Sequence, residues 1–168
     1  MSKFTVGSEE GISDLITIID SSTYTMHKDL VPEEDIKKYI ANDIDPRKMI
    51  NDLNDLSNQL IITYADDQPV GYSILKSGHN HPALPEGKRA TEISFVILPE
   101  FNSPDIRESL WKKCRSAASF TDIIWLNMMS HDPLLEFLKK SGFVITADTT
   151  AGPFQLPSHI LALELNKN

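Results

Sequence analysis

Residues 91–107 read TEISFVILPEFNSPDIR, and the stretch changes character twice. Thr91–Leu98 is a β-branched and aromatic run of the kind that forms a strand. Pro99 ends it, because proline has no N–H for a sheet ladder. Ser103-Pro104-Asp105 then has the chemistry of a helix start. Ser103 offers a hydroxyl acceptor at the N-cap, Pro104 stands where a missing amide does no harm, and Asp105 places negative charge against the helix dipole. Ile106, Leu110, Cys114 and Ala117/Ala118 recur on one face, so the helix is expected to run from Pro104 to Phe120.

The pattern extends outward from this strand–helix unit. Lys3–Gly7 reads as a short strand, and Ser8 as the N-cap of a helix carrying Ile12, Leu15, Ile16 and Ile19. Helices are also expected from Pro32, with Ile36, Tyr39 and Ile40 inward, and from Asp45-Pro46 to Asn54-Asp55. Leu60–Ala65 and Val70–Leu75 flank Asp66-Asp67 and read as a hairpin. Lys76–Arg89 is a Gly- and Pro-rich loop. Ile123–Met128 is an unbroken apolar run, expected as a buried strand. Pro133–Lys140 is a short helix with Gly142 behind it, and Phe143–Ala147 and His159–Leu165 are the last strands. The result is one α/β (α+β) domain over residues 1–168, with a mixed, largely antiparallel sheet of about seven strands flanked by helices. Pattern reading alone leaves several folds of this kind open.

Composition narrows the class of partner. Apolar residues make up 40%, enough to bury a core. No apolar run approaches the roughly 20 residues that cross a bilayer, and Met1–Glu10 does not read as a secretory signal. The single cysteine, Cys114, cannot form an internal disulfide and fits a reducing cytoplasm. The net charge of −8 argues against nucleic acid as a partner and is compatible with cationic amines.

Two segments carry a family resemblance. Val96-Ile97-Leu98-Pro99-Glu100-Phe101 with the following helix start resembles the cofactor motif of the GNAT superfamily of N-acetyltransferases: a strand, V-x-P-x-(Tyr/Phe), a glycine-rich Q/R-x-x-G-x-G/A loop, then a helix. His131–Phe143 resembles the family's N-x-x-A-x-x-F-Y-x-x-x-G-F segment at Phe137, Lys140 and Gly142-Phe143. Pro69-Val70-Gly71-Tyr72 is similar to the end of its central hairpin, so the likeness spans nearly the whole chain. The spermidine/spermine-type branch is the most similar, through Val31-Pro32-Glu33-Glu34, Leu53-Asn54-Asp55 and Ile124-Trp125-Leu126. The resemblance implies acetyl transfer from acetyl-CoA to a primary amine of a small molecule, with the cofactor between strands Thr91–Leu98 and Ile123–Met128. Its pantetheine would bond the backbone near Ile97 and Leu98. Its pyrophosphate would meet the amides of Asn102, Ser103, Asp105, Ile106 and Arg107.

The chain departs from that motif where the motif is most physical. The loop glycines fall on Ser103, Asp105 and Arg107, and the leading Gln/Arg falls on Asn102. Glycines let phosphate oxygens approach the amides, whereas Pro104 deletes a donor and Asp105 brings like charge. Leu138 stands where many members have the tyrosine that protonates the leaving thiolate, and His131 where asparagine is frequent. His131 has two readings, a polar group near the cofactor or a solvent-facing residue at a helix start. Glu92 is the carboxylate of the flanking strand and the candidate general base. The strand is one residue short where the family often has a bulge, which would change the face that Glu92 occupies.

Other features read as structure. His79-Asn80-His81 has no acid or cysteine cluster at metal-ligand spacing, and no metal is expected. Cys114 reads as core, Trp111 and Trp125 as core or interface aromatics, and Met128-Met129 as core or slot lining. Two functions lead, ahead of a third in which the enzyme is kept but the acyl donor or its pose changes. One is the amine acetyltransferase. The other is a degenerate member, in which the fold persists without the cofactor as a binding or interaction module with a second copy of itself as partner.

Overall fold

The computed structural model describes residues 1–5, 9–77 and 87–165. The expected Ser8 cap and the His79-Asn80-His81 loop lie outside them. The elements are β1 (Ser2–Thr5), α1 (Glu9–His27), α2 (Glu33–Asp43), α3 (Pro46–Leu53), β2 (Asn58–Ala65), β3 (Gln68–Lys76), β4 (Ala90–Ile93), β5 (Val96–Ile97), a 3-10 turn at Pro99–Phe101, α4 (Pro104–Ala117), β6 (Ile123–Met129), α5 (Leu135–Lys140), β7 (Val144–Ala151) and β8 (Leu156–Glu164). The sheet has eight strands in the order β1-β2-β3-β4-β6-β8-β7, with β5 paired to β3. Among the described residues, β4–β6 is the parallel pair and the remaining pairs are antiparallel. A parallel pair needs a long crossover, which α4 provides.

The expected strand Thr91–Leu98 is present as two pieces, and Ser94 is the reason. Its N–H donates to the Ile74 carbonyl at 3.0 Å, but the Ile74 N–H donates to Ser94 Oγ at 2.9 Å. The hydroxyl takes the acceptor role that the Ser94 carbonyl would fill in a regular ladder. No residue is inserted, because Leu75↔Ile93 and Tyr72↔Val96 belong to one continuous register. Glu92, Ser94 and Val96 therefore share a face.

Helices cover both faces. On one, Ile93, Phe95 and Ile97 pack with Leu110, Trp111 and Cys114 of α4 and Leu138 of α5. On the other, Val96 and Leu98 pack with Ile12, Leu15 and Ile18 of α1 and with α3. Each fully buried Leu or Ile stabilises by about 1.5–3 kcal/mol relative to exposure, as an upper figure. α4 stops at Ala117, three residues early, where the Ala118 carbonyl accepts from Thr121 Oγ1 at 2.8 Å. β7 runs four residues beyond its expected end. As an edge strand it is exposed along nearly its whole length, so no burial pattern marks Asp148–Ala151 as strand.

Candidate active site: a cleft through the sheet

β4 pairs with β6 through Ala90↔Ile123, Thr91↔Ile124 and Glu92↔Trp125, whereas β5 pairs with β3. From Ser94 onward the two central strands part. A cavity of about 210 Å³ opens between them, with Ser94–Ile97 on one wall and Leu126–Met129 on the other. It is bounded by Leu134 before α5 and, on the other side, by Ser22, Thr23, Met26 and His27 of α1.

The ladder decides which backbone groups face the opening. The Leu98 N–H donates to the Val70 carbonyl at 2.8 Å, and Val96 pairs with Tyr72. Polar groups alternate sides along a strand, so those of Phe95 and Ile97 face the gap. Of the two residues expected to bond a pantetheine, Ile97 is at the opening and the Leu98 amide is turned to β3.

At the start of α4 the chain satisfies most of its own amides. Asn102 N–H donates to Pro99 O (3.2 Å), Ser103 N–H to Phe101 O (2.9 Å) and Arg107 N–H to Ser103 O (3.0 Å). Ile106 N–H donates to Ser103 Oγ at 3.4 Å, the N-cap bond expected from sequence. Pro104 has no N–H, so of residues 102–107 the Asp105 amide is the one left with no acceptor among the described residues. The Asp105 side chain is exposed. Arg107 Nη1 donates to Asn102 Oδ1 (2.9 Å) and Asn102 O (3.2 Å), its guanidinium lies over the Phe137 ring, and its Nε is buried without a partner among the described residues.

The other expected site residues scatter. Glu92 is half-buried, opposite Lys76 on β3 and beside Trp125 on β6, one step short of the opening, and it does not line the cleft. His131 is exposed and its Nε2–H donates to the Met26 carbonyl at 2.9 Å, which ties the β6–α5 turn to the end of α1. Leu138 is fully buried in the core, so no hydroxyl approaches a thiolate from that position. Cys114 is likewise core, its thiol pushed up to about 12 by burial. Met128 and Met129 both line the cleft.

Several lining residues have no sequence signal of their own. Asp132 lines the cleft with its carboxyl raised above the ordinary range, chiefly by burial, while Oδ1 accepts the Leu134 amide at 2.9 Å. Ser22, Met26 and His27 belong to a helix that outruns its aliphatic residues. The one available clue is that the buried spacing Leu15, Ile18, Ser22 continues the helical period with a polar residue in the last place. Among the described residues, no group of three or more His, Cys, Asp or Glu could hold a metal, and no helix is long and apolar enough to cross a membrane.

Two central strands that part beside a helix N-terminus, with α1 and α2 over one face and α4 over the other, define a known topology. The fold is that of the GNAT N-acetyltransferases. The PaiA N-acetyltransferase of Thermoplasma acidophilum, solved with coenzyme A, is similar with a TM-score of 0.74 at 18% identity, over 98% of this chain and 99% of that one. A GCN5-related N-acetyltransferase of Rhodopseudomonas palustris gives 0.72 at 17% identity, over 98% and 95%. YncA of Salmonella typhimurium, solved with its cofactor acetyl-CoA, gives 0.72 at 12% identity, over 100% and 95%. No family model matches the sequence, and no curated protein does.

Proposed function

We propose that the protein transfers an acetyl group from acetyl-CoA to a primary amine of a small molecule. The observation that carries this reading is the opening between β5 and β6, lined by Leu134 on one side and by α1 on the other. A slot of this kind suits a thin acyl-pantetheine arm. The backbone groups of Phe95 and Ile97 offer it strand-like hydrogen bonds, and Leu126, Met128 and Leu134 give it apolar walls. Such an arm would bring its thioester to the α1 side, where an amine meets it. A neutral amine attacks the carbonyl carbon, the C–S bond breaks and the thiolate departs. That departure needs no strong acid, since a thiol ordinarily ionises near pH 8.5.

Arg107 supports the nucleotide end, because its partly buried guanidinium already stands at the α4 mouth with Nε unpartnered. The negative charge of the chain supports a cationic acceptor, and the sequence likeness to the spermidine/spermine-type branch puts polyamines first in any panel.

The paired amides of Asn102, Ser103, Ile106 and Arg107 favour the second reading, a GNAT-fold binding module without the cofactor. Calorimetry with acetyl-CoA, followed by thiol release in the presence of spermidine and other primary amines, separates the two. The enzyme reading expects saturable heat and amine-dependent thiol. No heat at millimolar acetyl-CoA would leave the binding module.

A further inference from the structure

His27, in the last turn of α1, is 4% exposed and lines the cleft on the face opposite α4. Its Nδ1 lies 2.6 Å from the Thr23 carbonyl. A carbonyl oxygen can only accept, so Nδ1 carries the proton. In the neutral ring Nε2 is then the bare lone pair, and it is buried with no partner among the described residues. Its direction is fixed by its neighbours. A methyl group placed on Gly152 would come within 3.9 Å of Nε2 and 3.3 Å of Met129 Cε. Nε2 thus faces the β7–β8 turn beside Met129 and Ala151, both part of the cleft lining. Phe154 of the same turn meets the His27 ring edge-on at 5.2 Å and Tyr39 of α2 at 6.1 Å, an aromatic rim on this end of the slot.

An unpaired buried imidazole nitrogen forfeits the hydrogen bond that water would give it, so it needs a reason. We infer that His27 Nε2 is the group that receives a proton from the incoming amine, and that the carbon body of that amine lies along Tyr39 and Phe154. The inference rests on the acetyl-transfer reading and names its base. An ammonium ion gives one proton to Nε2. The freed lone pair forms the C–N bond as the C–S bond breaks, the electron pair goes to sulfur, and the second amine proton ends on the thiolate. The imidazolium keeps its Nδ1–H on the Thr23 carbonyl and returns the extra proton to water.

The neighbouring ionisable groups are otherwise engaged. Asp132 accepts the Leu134 amide, His131 donates to Met26 O, and His159 on β8 pairs with Asp148 at 2.7 Å. Tyr72, near Tyr39, holds its proton, pushed up to about 12 by burial.

Two measurements test this. The first follows the ring nitrogen shifts of His27 by NMR, in protein incubated with CoA, as n-butylamine is added. Protonated Nδ1, bare Nε2 and a saturable movement of Nε2 are expected. A proton on Nε2 in the free protein, or no movement at any amine concentration, overturns the proposal. The second compares turnover. His27→Asn keeps a donor for the Thr23 carbonyl but has no base, so kcat/KM should fall about 10²–10⁴-fold while CoA still binds. Imidazole in solution should restore part of the activity of His27→Ala. A folded His27→Asn protein with its rate retained overturns the assignment and leaves acetyl transfer standing. A wild-type protein that acetylates no amine overturns the transfer reading instead, and the NMR arm still decides what His27 faces.

Discussion

Arg107 and Asn102 form a closed clamp across the start of α4: one guanidinium nitrogen donates to both the side-chain and main-chain oxygens of Asn102, at 2.9 and 3.2 Å. The clamp puts a cation at the mouth of the proposed CoA site. If Arg107 compensates for the paired amides, Arg107→Met should weaken CoA binding by roughly 10–150-fold, the range for one hydrogen bond to a charged group. Calorimetry at low salt reads it. An unchanged affinity would reduce Arg107 to a loop fastener.

Under the same proposal, Asp105 would work against the anion. Its side chain is exposed, so the aqueous end of Coulomb's law applies. At about 4 Å in water one unit charge costs about 1 kcal/mol, or about fivefold to tenfold in affinity. Asp105→Gly should therefore tighten CoA binding by about that factor at low salt, with the gain shrinking as salt is added. Equal affinities at low salt would mean that the carboxylate points away from the phosphates.

The frame of this site was legible in sequence, and its polar lining was not. Ser103-Pro104-Asp105 specifies a helix start through local chemistry, and the structure has the Ser103 cap at that position. Ile106–Ala118 and Ile123–Met128 announce themselves by apolar spacing. Ser94 does not, because its effect comes from trading its hydroxyl for its carbonyl in a ladder, which no spacing records. His27 lies eight residues beyond Ile19, in a stretch of Ser, Thr and Tyr that carries no aliphatic face, and it gains meaning only when β7 and β8 fold over it. Glu92 stands out in sequence as the carboxylate of its strand, but pairing with β6 persists through Glu92 and the opening begins after it.

Gly71 sets how closely β5 approaches β3. A Cβ there would stand 2.6 Å from the Val96 carbonyl oxygen, a backbone atom that cannot rotate aside. Gly71→Ala must shift β5, at about 1–3 kcal/mol for overpacking. Thermal unfolding should move down by about 2–10 °C for a domain of this size. Because β5 is one wall of the cleft, CoA affinity should fall with it. A variant of unchanged Tm would mean that the β3–β5 approach is looser than this spacing implies.

Asp132 gives the stability a pH dependence of known sign. Burial raises its carboxyl above the ordinary 3.8, so the folded state holds the proton more tightly than the unfolded one. Its contribution to stability is complete below that ordinary value and is lost as pH rises through the raised one. Asp132→Asn keeps an oxygen for the Leu134 amide and removes the charge. Relative to wild type, the variant should gain stability near neutral pH, with the gain fading at acid pH. Denaturant unfolding at both ends reads it. A gain that grows toward acid would reverse the assignment.

Glu92 and His27 offer competing sources for the base, and their positions separate them. Glu92 emerges on the α1 face but beside the Glu92↔Trp125 pair, where the sheet is still closed, so it reaches a bound amine only through water. His27 borders the cavity itself. A relay at one remove contributes less than a group that touches the amine. Glu92→Gln should therefore lower kcat/KM by no more than about tenfold, against the 10²–10⁴ of a direct base lost at His27. Steady-state rates of both variants on one amine decide between them. A Glu92→Gln loss as large as that of His27→Asn would shift the base to the closed end of the sheet and require the amine to enter from there.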